Sequence, residues 1–241
     1  MSFRAARYTV CYAWALAFAV AAMQSGCAPA VRGPAAPEGS HGPAVPGASR
    51  DAVAYDVASE RSQVHILVYR SGPLARLGHN HVLISKSIAG SVWIAEPFER
   101  SSFELVLPVE DIIVDDPAAR REEGGAFLAE VPAAAREATH RNMLKPEVLD
   151  GAQYPAITVR AVGVAGRPEA PSFNAAITIK QTTREIRLAA TVHYENATLV
   201  ASGEFDINQT DFGITPFSIG LGALQVQDQL HVKFKLVATR R

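Results

Sequence analysis

The chain has 241 residues, with 23 Lys and Arg against 24 Asp and Glu, and a formal net charge of −1. That balance excludes nucleic acid as the main partner, because phosphate binding needs a concentrated basic surface. The two cysteines, Cys11 and Cys27, both lie near the N-terminus. They exclude a disulfide framework or a Cys-based zinc site in the rest of the chain.

Residues 1–26 read as a signal peptide. Arg4 and Arg7 make a short basic start, and an apolar stretch from Val10 to Met23 follows. The stretch is too short to span a bilayer comfortably, so it is a leader and not an anchor helix. It ends in Gln24-Ser25-Gly26-Cys27, which resembles a bacterial lipobox with Gln24 where Leu is usual. In that pattern Cys27 becomes the lipidated first residue of the mature protein. The expected location is the periplasmic face of a bacterial membrane, held by the lipid anchor only, or the periplasm or medium if Cys27 is unmodified. Residues 27–50 are dense in Pro, Gly and Ala without an apolar period, which fits a flexible tether.

Residues 51–241 form the folded domain. Val64, Ile66 and Val68 alternate with His65, Leu67 and Tyr69. After a turn marked by Gly72, Pro73 and Gly78, a second strand over residues 82–95 puts Val82, Ile84, Ile88, Val92 and Ile94 on one parity. Phe103, Leu105, Leu107 and Val109 make the third. Residues 111–153 are a long, irregular excursion. It holds an acidic turn at Asp115-Asp116-Pro117, a charged loop over 120–125, and an Ala-rich piece over 133–142 that fits a short helix. Strands resume at 157–161, 173–179 and 186–194. In the last two, Leu199, Ala201, Phe205 and Ile207 alternate with Ser202, Glu204, Asp206 and Asn208. Val226, Leu230, Val232, Phe234 and Leu236 then alternate with Gln225, Gln227, Gln229, His231, Lys233 and Lys235. Period two over this span, with turns between, predicts about eight antiparallel strands in a sandwich or an up-and-down barrel.

The end of the chain carries a resemblance. Gly203, Phe205, Ile207, Asp211, Phe212, Gly213 and Ile214 follow a G-x-F-x-I-x-x-x-D-F-G-I pattern. Val226, Asp228, Leu230 and Val232 then follow V-x-D-x-(L/V)-x-(V/I). Together these resemble the close of the YceI-like, lipid/polyisoprenoid-binding family, and Met143, Leu144, Tyr154 and Pro155 add a match in the middle of the domain. The resemblance implies an all-β fold. It would be an eight-stranded antiparallel lipocalin-like barrel, with the loop and short helix inserted between strands three and four. It also implies a cavity for a long isoprenoid or fatty chain.

The residues themselves offer two kinds of site. Arg76-Leu77-Gly78-His79-Asn80-His81 would, if extended, put His79 and His81 on one side about 6–7 Å apart. Two such imidazoles suit a transition metal if a third ligand approaches, with His65, Asp211 or His231 as candidates. They suit a ligand head group such as a phosphate or quinone carbonyl equally well. The other candidate is the inward apolar parity of the barrel: Val64, Ile66, Ile84, Val92, Phe103, Leu105, Ile177, Leu188, Phe205, Ile207, Leu230, Val232 and Phe234. The acidic group Glu110, Asp111, Asp115 and Asp116 lacks the spacing of a calcium loop and reads as a solvated turn.

No Gly-x-Ser-x-Gly elbow or nucleophilic Cys argues for an enzyme. Three functions follow in order. The first is an envelope carrier or sensor for a hydrophobic small molecule, with a bound isoprenoid, quinone or fatty lipid as possible ligand and no certain cofactor. The second is a metal- or cofactor-binding redox accessory using His79 and His81. The third is a ligand-free envelope interaction domain.

Overall fold

A computed structural model describes residues 51–241. The signal peptide, Cys27 and the tether expected over residues 1–50 lie outside the described residues.

Alternating side chains produce an all-antiparallel sheet, but in thirteen segments and not eight. They are β1 (Val53–Val57), β2 (Gln63–Ser71), β3 (His81–Ser85), β4 (Ala89–Ile94), β5 (Ser102–Pro108), β6 (Ile113–Val114), β7 (Ala156–Arg167), β8 (Ala170–Ile179), β9 (Thr182–Ala189), β10 (Thr191–Glu195), β11 (Thr198–Asn208), β12 (Ser218–Ile219) and β13 (Leu224–Arg240). Two helices, α1 (Pro117–Glu123) and α2 (Ala133–Met143), interrupt them.

The count of eight is corrected because several expected strands break where the ladder kinks. The run over 82–95 divides at residues 86–88. There the Ser59 hydroxyl donates to the Lys86 carbonyl at 2.7 Å and accepts from the Ile88 N–H at 2.9 Å, filling the gap. Ser59 belongs to a turn that breaks β1 from β2 at the same level. The run over 186–194 divides at Ala190. Its backbone N–H still bonds to the Pro171 carbonyl of β8, while β10 moves on to pair with β11. β1, β6 and β12 carry too few alternating residues to stand out in the sequence.

Pairing runs β6-β3-β2-β13-β1-β4-β5-β7-β8-β9, with β11 on the other edge of β13. Seventeen-residue β13 is the spine. It pairs with β11 along Asn208–Thr198 on one side, and with β2 and then β1 on the other.

The excursion folds more than its composition suggests. Asp116-Pro117 is a helix start: the Asp116 carboxylate accepts from the N–H groups of Ala118 and Ala119, both at 3.0 Å, and Pro117 supplies the first helical residue. The charged stretch expected as a loop is therefore α1. Ala119 and Phe127 pack over Leu67, Val82 and Ile84 on the outer face of β2 and β3.

Candidate functional site

Inward-facing side chains of β2, β4, β5, β7, β8, β9, β11 and β13 surround a cavity of about 330 Å³. That lies within the range of about 300–1,000 Å³ usual for small-molecule sites. The wall is almost wholly apolar. Twelve of the thirteen expected lining residues meet there: Val64, Ile66, Val92, Phe103, Leu105, Ile177, Leu188, Phe205, Ile207, Leu230, Val232 and Phe234.

Ile84 is the exception and corrects the expectation. It points outward into the cluster under α1, 1% exposed, beside Leu67, Val82 and Phe127. The break at residues 86–88 resets the alternation, so Val82 and Ile84 face out while Ile88, Val92 and Ile94 face in. Leu83 lines the cavity in their place.

The hollow depends on small residues at close approaches. A Cβ on Gly203 would meet the Phe234 ring at 2.8 Å and the Ala189 carbonyl at 2.5 Å. Gly203 thus lets Phe234 lie flat against β11, 6.4 Å from the Phe205 ring by centroid. On the same face Ala201 leaves the wall short of filling the space.

Polar groups are few and placed at the ends. His81 lines the cavity at the end where β3 begins. Its Nδ1 lies 2.6 Å from Asp115 Oδ2. Asp115 is fully buried, accepts from the Val82 N–H at 2.9 Å, and takes the Arg120 guanidinium at 2.5 Å. Burial pushes the Asp115 carboxyl up. The His81 hydrogen bond and charge, the Val82 amide and Arg120 outweigh burial and hold it below the ordinary 3.8. An ionised carboxylate only accepts, so His81 Nδ1 carries the proton. Its Nε2 makes no hydrogen bond among the described residues. Arg120 is locked in turn by the carbonyls of Asn80 at 2.7 Å and Ala129 at 2.8 Å. At the opposite end, beside the β4–β5 connection, the buried Ser102 hydroxyl lines the cavity without a partner among the described residues.

The other expected ligands do not converge on His81. His79 precedes β3, is half-buried and does not line the cavity. His65 faces outward, with Nδ1 2.7 Å from Glu123 Oε1. His231 bonds Asp206 at 2.7 Å on the outer face, and Asp211 bonds Asn208 at 3.2 Å. Among the described residues no group of three His, Cys, Asp or Glu could hold a metal ion. The acidic turn is corrected as well, since Asp115 is buried and paired. Asp115 and Arg120 are the parts of the site that sequence reasoning missed. Nothing in the spacing of residues 115–120 showed that α1 would fold back onto the end of β3.

Residues 55–238 match the model of the YceI-like domain. The chain belongs to the YceI-like family. Among solved structures it is similar to BcnA of Burkholderia cenocepacia, at 17% identity and TM-score 0.57, over 76% of this chain and 100% of that one. It is also similar to a polyisoprenoid-binding domain of Saccharophagus degradans, at 13% identity and TM-score 0.54, over 78% of this chain and 99% of that one. At these identities both show a shared fold. No curated protein matches the chain in sequence.

Proposed function

We propose that this YceI-like domain binds one long-chain amphiphile, of the polyisoprenoid, quinone or fatty class, as a carrier or sensor in the bacterial envelope. The observation that carries the reading is a 330 Å³ cavity with an apolar wall and a single oriented imidazole at one end. The apolar chain would lie along Phe103, Leu105, Ile177 and Phe234. Burial there is worth roughly 0.8 kcal/mol per methylene. His81 Nε2, held in one tautomer by Asp115, would accept from or, when protonated, donate to the head group. Twelve of the thirteen segments would wind as eight broken runs around this ligand, with two-residue β12 an addition at the start of β13. β1 continues into β2, β3 into β4, β5 into β6 and β9 into β10.

A polyisoprenoid-binding domain among the similar folds supports the ligand class. Arg4, Arg7, the apolar stretch and Cys27 support export and lipid anchoring. No catalytic role is assigned.

The test is mass spectrometry of an organic extract from the purified full chain, followed by displacement of a fluorescent fatty-chain probe. A long-chain amphiphile at near one per chain, released by the probe, is the expected result. An extract matching that of an unrelated exported protein, with no probe binding, would end this reading.

A further inference from the structure

The end of the cavity marked by His81 is bordered by two loops that the cavity alone does not explain. One spans residues 72–80 between β2 and β3. The other spans residues 213–223, ahead of β13, and includes the short strand β12. They are zipped together. The Leu74 N–H donates to the Ala223 carbonyl at 2.8 Å, and a Cβ on Gly72 (φ +90°) would strike the Gly222 and Ala223 carbonyls at 2.6 and 2.7 Å. β12 pairs back onto the start of β13, and the Val226 N–H bonds the Phe217 carbonyl at 3.0 Å.

This joined surface is apolar where it meets solvent. Leu74, Leu77, Phe217, Ile219 and Leu221 are all exposed, Leu77 to 67%. Leu221 is fully exposed at a φ of +54°, between Gly220 and Gly222, which also have positive φ. A leucine in left-handed backbone with no side-chain burial is unfavourable twice over. Phe217 joins the patch to the cavity, since it lines the hollow and is also exposed.

Charge completes the pattern. Exposed Arg70 and Arg76 flank the leucines, with Arg70 tied to the Gly78 carbonyl. Neither residues 70–81 nor 213–226 contain an Asp or Glu, although the whole chain is slightly acidic. Exposed apolar tips flanked by two arginines, on segments without Asp or Glu, match the boundary between acyl chains and phosphate head groups.

We propose that these two loops form a membrane-docking surface. They would seat the domain on a phosphate-bearing lipid leaflet with the His81 end of the cavity facing it. Among the described residues no helix is long and apolar enough to cross a membrane. The loops would make a second membrane contact, through the folded domain, beside any anchor at Cys27. The docking stands whether or not the cavity holds a lipid, and its readout is separate from ligand extraction.

The test places tryptophan reporters in the full chain and adds vesicles of phosphatidylcholine and phosphatidylglycerol with brominated acyl chains. Leu77→Trp reports on the patch. Ala197→Trp, in the β10–β11 turn at the far end, is the control. The parent's own Trp93 sets the background, joined by Trp14 where residues 1–26 are retained. The expected result is a blue shift and several-fold stronger bromine quenching for Leu77→Trp than for the parent, with Ala197→Trp matching the parent. Adding Leu221→Asp to the Leu77→Trp chain should remove most of that quenching, with an unchanged circular dichroism spectrum. Leu77→Trp emission indifferent to vesicles would overturn the proposal. So would equal quenching at Ala197→Trp. A blue shift that grows with protein concentration without vesicles would overturn it in favour of a second copy covering the patch.

Discussion

Filling the hollow from β11 tests the ligand reading most directly. Ala201 faces the cavity between Leu199 and Gly203, and its neighbour Ser202 has the opposite parity. In Ala201→Trp the indole would take up space that a bound chain needs. An aromatic side chain of that kind covers about 150 Å² or more. Excluding that much ligand surface at about 25 cal/mol per Å² removes about 4 kcal/mol, or roughly a thousandfold in affinity. The loss applies to chains long enough to run past Ala201. A short chain that stays at the His81 end should lose much less. Titration of a homologous series of fatty-chain probes by fluorescence or calorimetry measures both. The folded state supplies an internal check, because overpacking a filled core costs about 1–3 kcal/mol, whereas a hollow one accepts the ring. The melting temperature of Ala201→Trp should therefore equal or exceed that of the parent, and outward-facing Ser202→Trp should leave binding unchanged. The reasoning fails if a well-folded Ala201→Trp binds long chains within about threefold of the parent. It fails equally if the variant loses several kcal/mol of stability, which would mean that the space was already occupied.

The end of the cavity makes its own predictions. Arg120→Ala leaves the Asp115 carboxylate buried with one cation fewer. A loss of about 3–5 kcal/mol is expected in denaturant unfolding. Arg141→Ala, which removes an exposed pair 4.0 Å from Glu137, should stay within about 0.5 kcal/mol of the parent. Comparable losses for the two would show that the Asp115 network carries no special weight.

Acid stability follows from Asp115 and Glu123. Burial raises both carboxyls. His81, Val82 and Arg120 outweigh it for Asp115, and the Lys233 and His65 hydrogen bonds outweigh it for Glu123, so both end below their ordinary 3.8 and 4.5. A depressed folded value means the stabilisation is complete above the unfolded value and is lost as pH falls through the folded one. Thermal midpoints should hold steady at neutral pH and drop below about pH 4.5. Glu123→Gln should be less stable at neutral pH and show a shallower acid limb; a steeper limb would contradict the assignment.

Much of this was legible in the sequence, and the gaps have physical causes. The alternation in β11 and β13 was plain, because Glu204, Asp206, His231 and Lys235 all fall on one parity and the apolar residues on the other. The closing motif around Asp211-Phe212-Gly213 led to the right family. Asp115 escaped notice because an acidic turn before a proline is usually solvated. Only the fold-back of α1 brings Arg120 beside it, and that contact depends on tertiary packing.

Ile84 shows what a period-two pattern can and cannot decide. Alternation says that two faces differ. It does not say which is inside, and where both faces are covered it fades. Residues 64–69 and 82–84 read Val-His-Ile-Leu-Val-Tyr and Val-Leu-Ile, apolar on both parities. A strand apolar on both parities is a strand packed on both sides. The structure supplies the two coverings, the cavity within and α1 with Phe127 outside. The continuous apolar runs of β2 and β3 are matched by these two coverings. The same rule applied to the loops over residues 72–80 and 213–223 gives the opposite result. Leu77, Ile219 and Leu221 are apolar with no covering in the folded domain. The docking surface proposed above would supply a covering for them from outside the domain.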